Sequence, residues 1–337
     1  MTNNAVIAKA RAIHGKMLTK DDYTVLIHKG SVPAAVAYLK TKPLYAAAFA
    51  DTEEAVVHRE QAEALIVKNV YDQYLRVCKF RNGDKTGIMS FYVRRIECEQ
   101  LIKAVIAISS GGQEGFVVSF PEYLADAFSF DPMALAAAKD LRLAAEIIRG
   151  TIYYKPLHPL MTAPEPDLNR IITTINVCYI KWAFEHINAS ERGKNRELLK
   201  EFFLRKTDAD NLLTCLRLKA FGMDNDRIKE LLIPYHKRLR RCEIDEALKA
   251  DDAVTLLREM FVSERIIREE SSDIPEINVN IADYHYFRHR LAVSMNETET
   301  LYSLMMLLDT ESTDLCRVIE GLWYGTEPAE IEKYIII

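Results

Sequence analysis

The chain carries a helical period along nearly its whole length. Apolar residues recur three and four positions apart, and polar residues fill the positions between them. This spacing places the apolar side chains on one face of an α-helix. The segment after Asp167 has such a face, formed by Leu168, Ile171, Ile175, Tyr179 and Trp182. The one stretch that could form a strand is residues 115–120 (GFVVSF), so the pattern predicts an all-α protein.

Capping residues mark where several of these helices begin. Thr19 and Ser31 can each accept a hydrogen bond from the first turn of a following helix, and Pro33 is tolerated in such a turn. We therefore predict helix starts at both positions. Asp51 is predicted to open a longer helix that runs to about Cys78.

A motif occurs twice with the same internal spacing. The first copy, residues 207–234, reads TDADNLLTCLRLKAFGMDNDRIKELLIP, and the second copy, residues 310–337, reads TESTDLCRVIEGLWYGTEPAEIEKYIII. At an offset of 103 residues they align without a gap in a predicted capping threonine, the apolar positions, an aromatic residue, a glycine and a second apolar run. Looser copies end near two earlier glycines. The glycines assigned to the repeat are Gly15, Gly112, Gly222 and Gly325.

The spacing of these glycines predicts domain-sized repeats. Solenoid repeats are shorter, at roughly 20–50 residues. We predict three similar helical-bundle units, comprising residues 1–95, 96–206 and 207–337, and the last includes a C-terminal half copy of the motif.

Composition narrows the classes of function. A hydrophobic content of 49% in 337 residues is enough to bury a core in each of two or three units. No stretch approaches the roughly 18 consecutive apolar residues of a membrane-spanning helix, and the start lacks the apolar core of a signal peptide. We therefore expect a cytoplasmic protein. A net charge of −5 does not favour nucleic acid as a partner, and the six cysteines, which form no C-x-x-C pair, are expected to be reduced and mostly buried.

Two segments resemble a known family. The opening KARAIHGKMLTKDDYTVLIHKGSVPAAVAYLKTKPLYAAAF and the ending DLCRVIEGLWYGTEPAEIEKYI are similar to the start and end of the C subunit of the V-type and archaeal-type ATPases and ATP synthases, a family related to the d subunit of eukaryotic V-type ATPases. The resemblance spans essentially the whole chain and rests on the order and spacing of its motifs.

The resemblance implies a fold and a function. It implies three similar units in a quasi-threefold, funnel-like arrangement around a central opening. It also implies a non-catalytic rotor part, without cofactor, that seats the central-stalk subunits on the membrane proteolipid ring and couples ATP turnover to proton or sodium ion transport. Such a protein is peripheral to the membrane and contacts it only indirectly, through the ring.

A basic stretch is a candidate partner contact. It contains Lys237, Arg238, Arg240 and Arg241 and is the densest cluster of positive charge in the chain. Such a cluster can meet an acidic stalk surface or anionic headgroups near the ring. It is also the kind of run that a helix carries on a solvated face.

Two other classes of function stay open. One is an all-helical scaffold for protein interactions, unrelated to a rotary motor. The other is an all-α enzyme. His285 and His289 have the spacing that places two imidazoles on one helix face, and Asp251 and Asp252 form an acidic pair. The chain lacks the glutamate of the metalloprotease motif and a Walker A segment, so we predict no catalytic, cofactor or metal residues.

Overall fold

The computed structural model describes residues 3–81, 87–111, 122–237, 244–245, 248 and 274–337. Every regular element in these ranges is helical, which confirms the predicted all-α class. The possible strand at residues 115–120 lies outside the described residues. None of the described helices is both long enough and apolar enough to cross a membrane.

The described helices vary widely in length. They are α1 (Asn3–His14), α2 (Lys20–Ile27), α3 (Val32–Lys40), α4 (Arg59–Cys78), α5 (Ile88–Ser110), α6 (Pro132–Ala136), α7 (Leu141–Ile147), α8 (Tyr154–Met161), α9 (Leu168–Ser190), α10 (Gly193–Ala220), α11 (Asn225–Glu230), α12 (Pro275–Val293), α13 (Glu297–Tyr324) and α14 (Pro328–Glu332). Short 3₁₀ turns occur at Glu54–Val56, Lys79–Arg81 and Glu122–Ala127.

The predicted starts at Thr19 and Ser31 are confirmed. Thr19 and Asp22 form a capping box before α2, in which each side chain accepts a hydrogen bond from the other residue's backbone N–H. Ser31 caps α3 by accepting a hydrogen bond from the backbone N–H of Ala34. Local side-chain chemistry therefore determines both starts.

The predicted helix start at Asp51 is wrong. Helix α4 begins at Arg59, after the 3₁₀ turn at Glu54–Val56. Tertiary contacts hold the intervening segment away from the helix. The ammonium group of Lys40 donates a hydrogen bond to the carbonyl oxygen of Thr52 at 2.7 Å and lies 3.1 Å from a carboxylate oxygen of Glu54. Lys40, the partner in both contacts, belongs to α3. The residues around Asp51 therefore do not indicate these contacts.

Contacts group the chain into two compact units. The terminal unit comprises Met1–Ile88 and Arg258–Ile337, and the middle unit comprises Met89–Leu257. The predicted boundaries near residues 96 and 207 both lie inside continuous helices, α5 and α10. The division into three repeats stays a prediction.

Helix α13 is the central helix of the terminal unit. It packs against α1, α4 and α12, and most of its residues are buried, including Leu308 and Leu315. Arg11 of α1 fixes the end of α12, because its guanidinium group donates hydrogen bonds to the carbonyl oxygens of Leu291 and Ser294 at 3.0 and 2.8 Å. The segments before residue 88 and after residue 274 therefore share one core.

The middle unit has its core between α5, α7, α8 and α9. Leu101, Ile148, Leu157 and Ile171 are fully buried there. An aromatic cluster joins α5, α9 and α10, where the ring of Phe91 lies 5.7 Å from that of Trp182 and 5.4 Å from that of Phe203, centroid to centroid. Close packing of this kind makes a helical unit resist deformation.

The two threonines that open the aligned copies are not helix caps. Thr207 lies inside α10 and Thr310 inside α13. Their hydroxyl groups donate hydrogen bonds to the carbonyl oxygens four residues earlier, those of Phe203 at 2.9 Å and Met306 at 3.0 Å. The predicted helix starts there are wrong, because a threonine can satisfy its hydroxyl within a helix by bonding back. The similarity of the two copies therefore extends upstream of the aligned motif.

Candidate functional site: the two repeat ends

The first copy of the repeat closes helix α10 with a left-handed glycine. Gly222 has a φ of 74°, and its N–H donates to the carbonyl oxygen of Lys219 at 2.9 Å. The N–H of Met223 donates to the carbonyl oxygen of Leu218 at 3.0 Å. These two bonds form a Schellman motif, which needs a residue that tolerates positive φ at this position.

The second copy closes helix α13 in the same way. Gly325 has a φ of 67°, and its N–H donates to the carbonyl oxygen of Leu322 at 3.4 Å. The N–H of Thr326 donates to the carbonyl oxygen of Gly321 at 2.9 Å. Every atom pair in this motif is displaced from its counterpart in the first copy by the same 103 residues.

A short helix then restarts at equivalent positions. Asp224 precedes α11 and accepts hydrogen bonds from two backbone N–H groups in its first turn, and Glu327 precedes α14 without a side-chain cap. Ile228 and Ile331, which the alignment pairs, are both buried in their own units. The copies therefore share a helix end, a turn and an apolar anchor.

A buried polar side chain clamps the segment after the short helix in the first copy. The side-chain amide of Asn211 accepts a hydrogen bond from the backbone N–H of Ile233 at 2.8 Å. The same amide donates to the carbonyl oxygen of Ile233 at 2.9 Å. Asn211 is 2% exposed, and leaving its buried amide without these partners would be costly.

The second copy has its clamp at the aligned position. Asp314 is fully buried, and its Oδ2 accepts hydrogen bonds from the backbone N–H groups of Ile336 at 2.8 Å and Ile337 at 3.0 Å. Its Oδ1 accepts from the guanidinium group of Arg317 at 3.2 Å. Burial raises the pKa of Asp314 to about 6, although these hydrogen bonds act in the opposite direction.

A buried acid lies one turn before the clamp in each copy. In the first copy, both carboxylate oxygens of Asp208 accept from the backbone N–H of Lys237, at 3.1 and 3.2 Å. In the second copy, Glu311 accepts from the backbone N–H of Leu18 at 2.8 Å and from the hydroxyl of Tyr45 at 2.6 Å. Burial raises the pKa of Glu311 to about 8. These acids anchor backbone segments to the repeat helix, and the geometry suits a mechanical role.

Exposed aromatic rings lie beside both turns. Phe221 is 84% exposed and Tyr324, at the aligned position, is 68% exposed. The hydroxyl of Tyr324 accepts a hydrogen bond from Arg59 at 3.0 Å, and the neighbouring Trp323 contacts the ring of His58 edge-on. An exposed ring on a fixed turn offers apolar surface that a partner can cover.

The structure describes one residue of the predicted basic stretch. Lys237 extends its ammonium group to a carboxylate oxygen of Glu201 at 2.5 Å. Arg238, Arg240 and Arg241 lie outside the described residues. The predicted partner contact stays a prediction.

The four repeat glycines have different environments. Gly222 and Gly325 adopt the positive φ described above, whereas Gly15 does not, and its N–H donates to the carbonyl oxygen of Arg11 at 2.9 Å. Gly112 lies outside the described residues. The looser copy near Gly15 therefore ends its helix without the left-handed turn.

The histidine pair lies on one helix of the terminal unit. His285 and His289 are both exposed on α12. Within the part of the chain that the structure describes, no three His, Cys, Asp or Glu side chains come together in a way that could hold a metal ion. Asp251 and Asp252 lie outside the described residues.

The buried polar positions of the two copies are not among the predicted site residues. The offset that aligns the apolar residues also pairs Asp208 with Glu311 and Asn211 with Asp314. The sequence therefore shows that polar residues recur at equivalent positions of the two copies. Polar residues within a helical period are, however, ordinarily assigned to the solvated face. Apart from Arg317, which lies three residues after Asp314, their partners lie 22 to 293 residues away in the chain, so no local pattern identifies these contacts.

Comparisons with known proteins place the chain among relatives of one name. The C subunit of the A-type ATP synthase of Thermococcus kodakarensis is 22% identical over 343 residues, which cover 97% of this chain and 88% of that protein. The Pyrococcus abyssi protein of the same name is 21% identical, with the same coverage. The Thermococcus onnurineus protein of that name is 26% identical over 212 residues, which span 60% of this chain and 56% of that protein. Residues 6–334 match the model of a family described as ATP synthase (C/AC39) subunit, and the chain therefore belongs to that family.

Proposed function

We propose that this chain is a non-catalytic central-rotor adaptor of a rotary ATPase or ATP synthase. It seats the central-stalk subunits on the membrane proteolipid ring and transmits the torque that couples ATP turnover to proton or sodium ion transport. It acts on the cytoplasmic side, peripheral to the membrane, and contacts the membrane through the ring. Its three similar units surround a central opening in a funnel-like arrangement.

Family membership supports the assignment to a rotary complex. The relatives that align over nearly the whole chain are named as the C subunit of A-type ATP synthases. The alignments with them cover 97% of this chain.

The equivalent closure of the two repeat ends carries the proposal for an adaptor. A part that transmits torque needs elements that keep their shape under load. Helices α10 and α13 each span 28 residues, and each ends in the same hydrogen-bonded turn followed by a buried polar clamp. Close packing resists deformation, and the clamps prevent the segments after each turn from separating from the helix.

The test is association with the other rotor parts. The full chain is mixed with purified central-stalk subunits and, separately, with the detergent-solubilised proteolipid ring, and the products are weighed by native mass spectrometry. We expect one copy of this chain on each. Absence of both complexes, with folded stalk subunits and an intact ring, would contradict the proposal and favour a scaffold unrelated to a motor.

Charge reversal tests the basic stretch within the same assay. A variant with Arg238→Glu, Arg240→Glu and Arg241→Glu is expected to weaken the stalk or ring complex at low salt, since charged contacts mainly govern orientation and encounter. The matched control makes the same change in charge at exposed residues of α9 and α10: Lys181→Glu, Lys194→Glu and Lys206→Glu. Equal effects of the two variants would show that net charge, and not this stretch, is responsible.

A further inference from the structure

The terminal unit contains a cavity lined by three separate segments of the chain. Its volume is about 890 Å³. Its walls come from residues 14–27, from residues 274–288 and from residues 332–337. Sites for small molecules in proteins typically measure roughly 300–1,000 Å³, so this cavity has the size of a ligand site.

Each of the three walls of the cavity contributes apolar side chains. Ile27 comes from α2, Ile277 and Ile281 come from α12, and Ile336 comes from the C-terminal segment. The wall formed by residues 332–337 is fixed by Asp314, which accepts a hydrogen bond from the backbone N–H of Ile336. The cavity is therefore bounded on this side by a fixed segment of backbone.

Positive charge lies around this apolar space. Lys20, Arg288 and Lys333 line the cavity, and Glu332 is the acidic side chain among its described lining residues. Lys333 is already paired with Glu330 at 2.5 Å. Among the residues that the structure describes, Arg288 has no ion-pair partner.

Arg288 also acts on a neighbouring histidine. Burial, together with the positive charge of Arg288, lowers the pKa of His14. A neutral imidazole can donate a hydrogen bond to an anion, and a guanidinium group beside it supplies a positive charge to the same anion. A carboxylate that also has a long apolar chain matches both this polar corner and the isoleucine walls.

We propose that this cavity binds a single-chain anionic amphipath, a long-chain carboxylate, with its hydrocarbon chain among the isoleucines and its carboxylate at Arg288 and His14. The inference is independent of the rotor function. It follows from the apolar side chains on each wall of the cavity, a cation without a counter-charge in the described structure and the volume of the space.

Calorimetric titration of the full chain with laurate, below its micelle concentration, tests the site. We expect saturable binding of one laurate per chain. Decanoate is two methylenes shorter and is expected to bind about tenfold more weakly if the hydrocarbon chain is buried in the cavity. Dodecyltrimethylammonium carries a hydrocarbon chain of nearly the same length with a positive head and is expected neither to bind there nor to compete.

Two variants locate the binding. Arg288→Glu is expected to weaken laurate at least tenfold, and Ile281→Glu, which places a charge in the wall, is expected to abolish binding. Arg76→Glu, on an exposed position of α4 that does not line the cavity, is the matched control and is expected to bind as the wild type does. Circular dichroism and the melting temperature establish that each variant is folded.

Three results would overturn the proposal. These are an absence of saturable binding, equal binding of the cationic amphipath, and laurate affinity that is the same in the wild type and in both folded cavity variants. The last would place the bound laurate elsewhere on the surface.

Discussion

The two copies of the repeat share their backbone geometry and differ in the chemistry that holds it. Both end a 28-residue helix in a Schellman turn and clamp the segment that follows. In the first copy the clamp is the neutral amide of Asn211, which both donates to and accepts from a single residue, Ile233. In the second copy it is the carboxyl of Asp314, which only accepts in this arrangement, and from three groups.

The copies also differ in how far along the chain their contacts reach. Asp208 in the first copy binds the backbone of Lys237, 29 residues away, whereas Glu311 in the second copy binds Leu18 and Tyr45, 293 and 266 residues away. The same geometry therefore closes a local segment in one copy and joins the two ends of the chain in the other. Because the second copy uses buried acids with raised pKa values, we expect its stability to depend on pH.

The largest expected effect comes from replacing Glu311 with a side chain that does not titrate. Its folded pKa, about 8, lies above the ordinary value of 4.5, so the folded state keeps a proton that the unfolded chain has released between those pH values. The contribution of Glu311 to the free energy of unfolding therefore falls as pH rises through this window. Glu311→Gln does not titrate, so the stability of the variant relative to the wild type is expected to rise by about 4 kcal/mol between pH 5 and pH 9.

Urea unfolding followed by tryptophan fluorescence measures this difference. The chain has two tryptophans, Trp182 in the middle unit and Trp323 in the terminal unit, so a Trp182→Phe background reports on the terminal unit alone. Glu320→Gln makes the same chemical change on an exposed position of α13 and is expected to shift stability by at most a few tenths of a kcal/mol. Parallel pH profiles of Glu311→Gln and the wild type would contradict the raised pKa.

The parts of the fold that local chemistry determines were predictable from the sequence. The helical class, the capped starts at Thr19 and Ser31 and the alignment of Gly222 with Gly325 all rest on residues close to the feature they specify. Helical periodicity and capping are short-range effects, so a single sequence reveals them.

The features that depend on distant partners were not predictable in this way. The start predicted at Asp51 failed because α3 holds the following residues, and Thr207 was mistaken for a cap because its hydroxyl can also bond within a helix. The buried clamps were missed for the same reason, since the burial of Asn211 or Asp314 follows from packing that the sequence does not display.

The next largest effect is expected at an aligned position where the side chains of the two copies differ in size. The first copy has Leu218 where the second has Gly321, and a Cβ at Gly321 would lie 2.6 Å from two side-chain carbons of Ile331. The absence of a side chain lets α14 pack directly on α13. Gly321→Leu is expected to destabilise the terminal unit by about 3 kcal/mol, because overpacking outweighs the gain in helix propensity.

The same fluorescence assay, read at Trp323, measures this cost. The reciprocal site provides the control: Leu218→Ala in the first copy removes a half-buried side chain and is expected to cost about 1 kcal/mol, read at Trp182 in a Trp323→Phe background. A Gly321→Leu variant as stable as the wild type would show that α14 can move away from α13 without loss, and that the close packing is not needed.

The smallest expected effects come from giving each clamp the side chain of the other, with a carboxyl at residue 211 or an amide at residue 314. Asn211→Asp in the first copy places a carboxylate oxygen against the carbonyl oxygen of Ile233, so a hydrogen bond is lost and a buried charge is left facing an acceptor. We expect a loss of about 2 kcal/mol at pH 8. Asp314→Asn in the second copy keeps an acceptor for Ile336 and loses the bond from Arg317, and we expect a loss of about 1 kcal/mol at pH 5.

The pH dependence of the exchange separates the two clamps. The folded pKa of Asp314, about 6, lies above the ordinary value of 3.8, so its contribution to stability falls as pH rises between these values, and a neutral amide escapes this loss. The cost of Asp314→Asn is therefore expected to shrink between pH 5 and pH 8, when it is measured at Trp323. If both exchanges cost the same at every pH, the carboxyl and the amide would be interchangeable, and the copies would differ in sequence without differing in how they hold the chain.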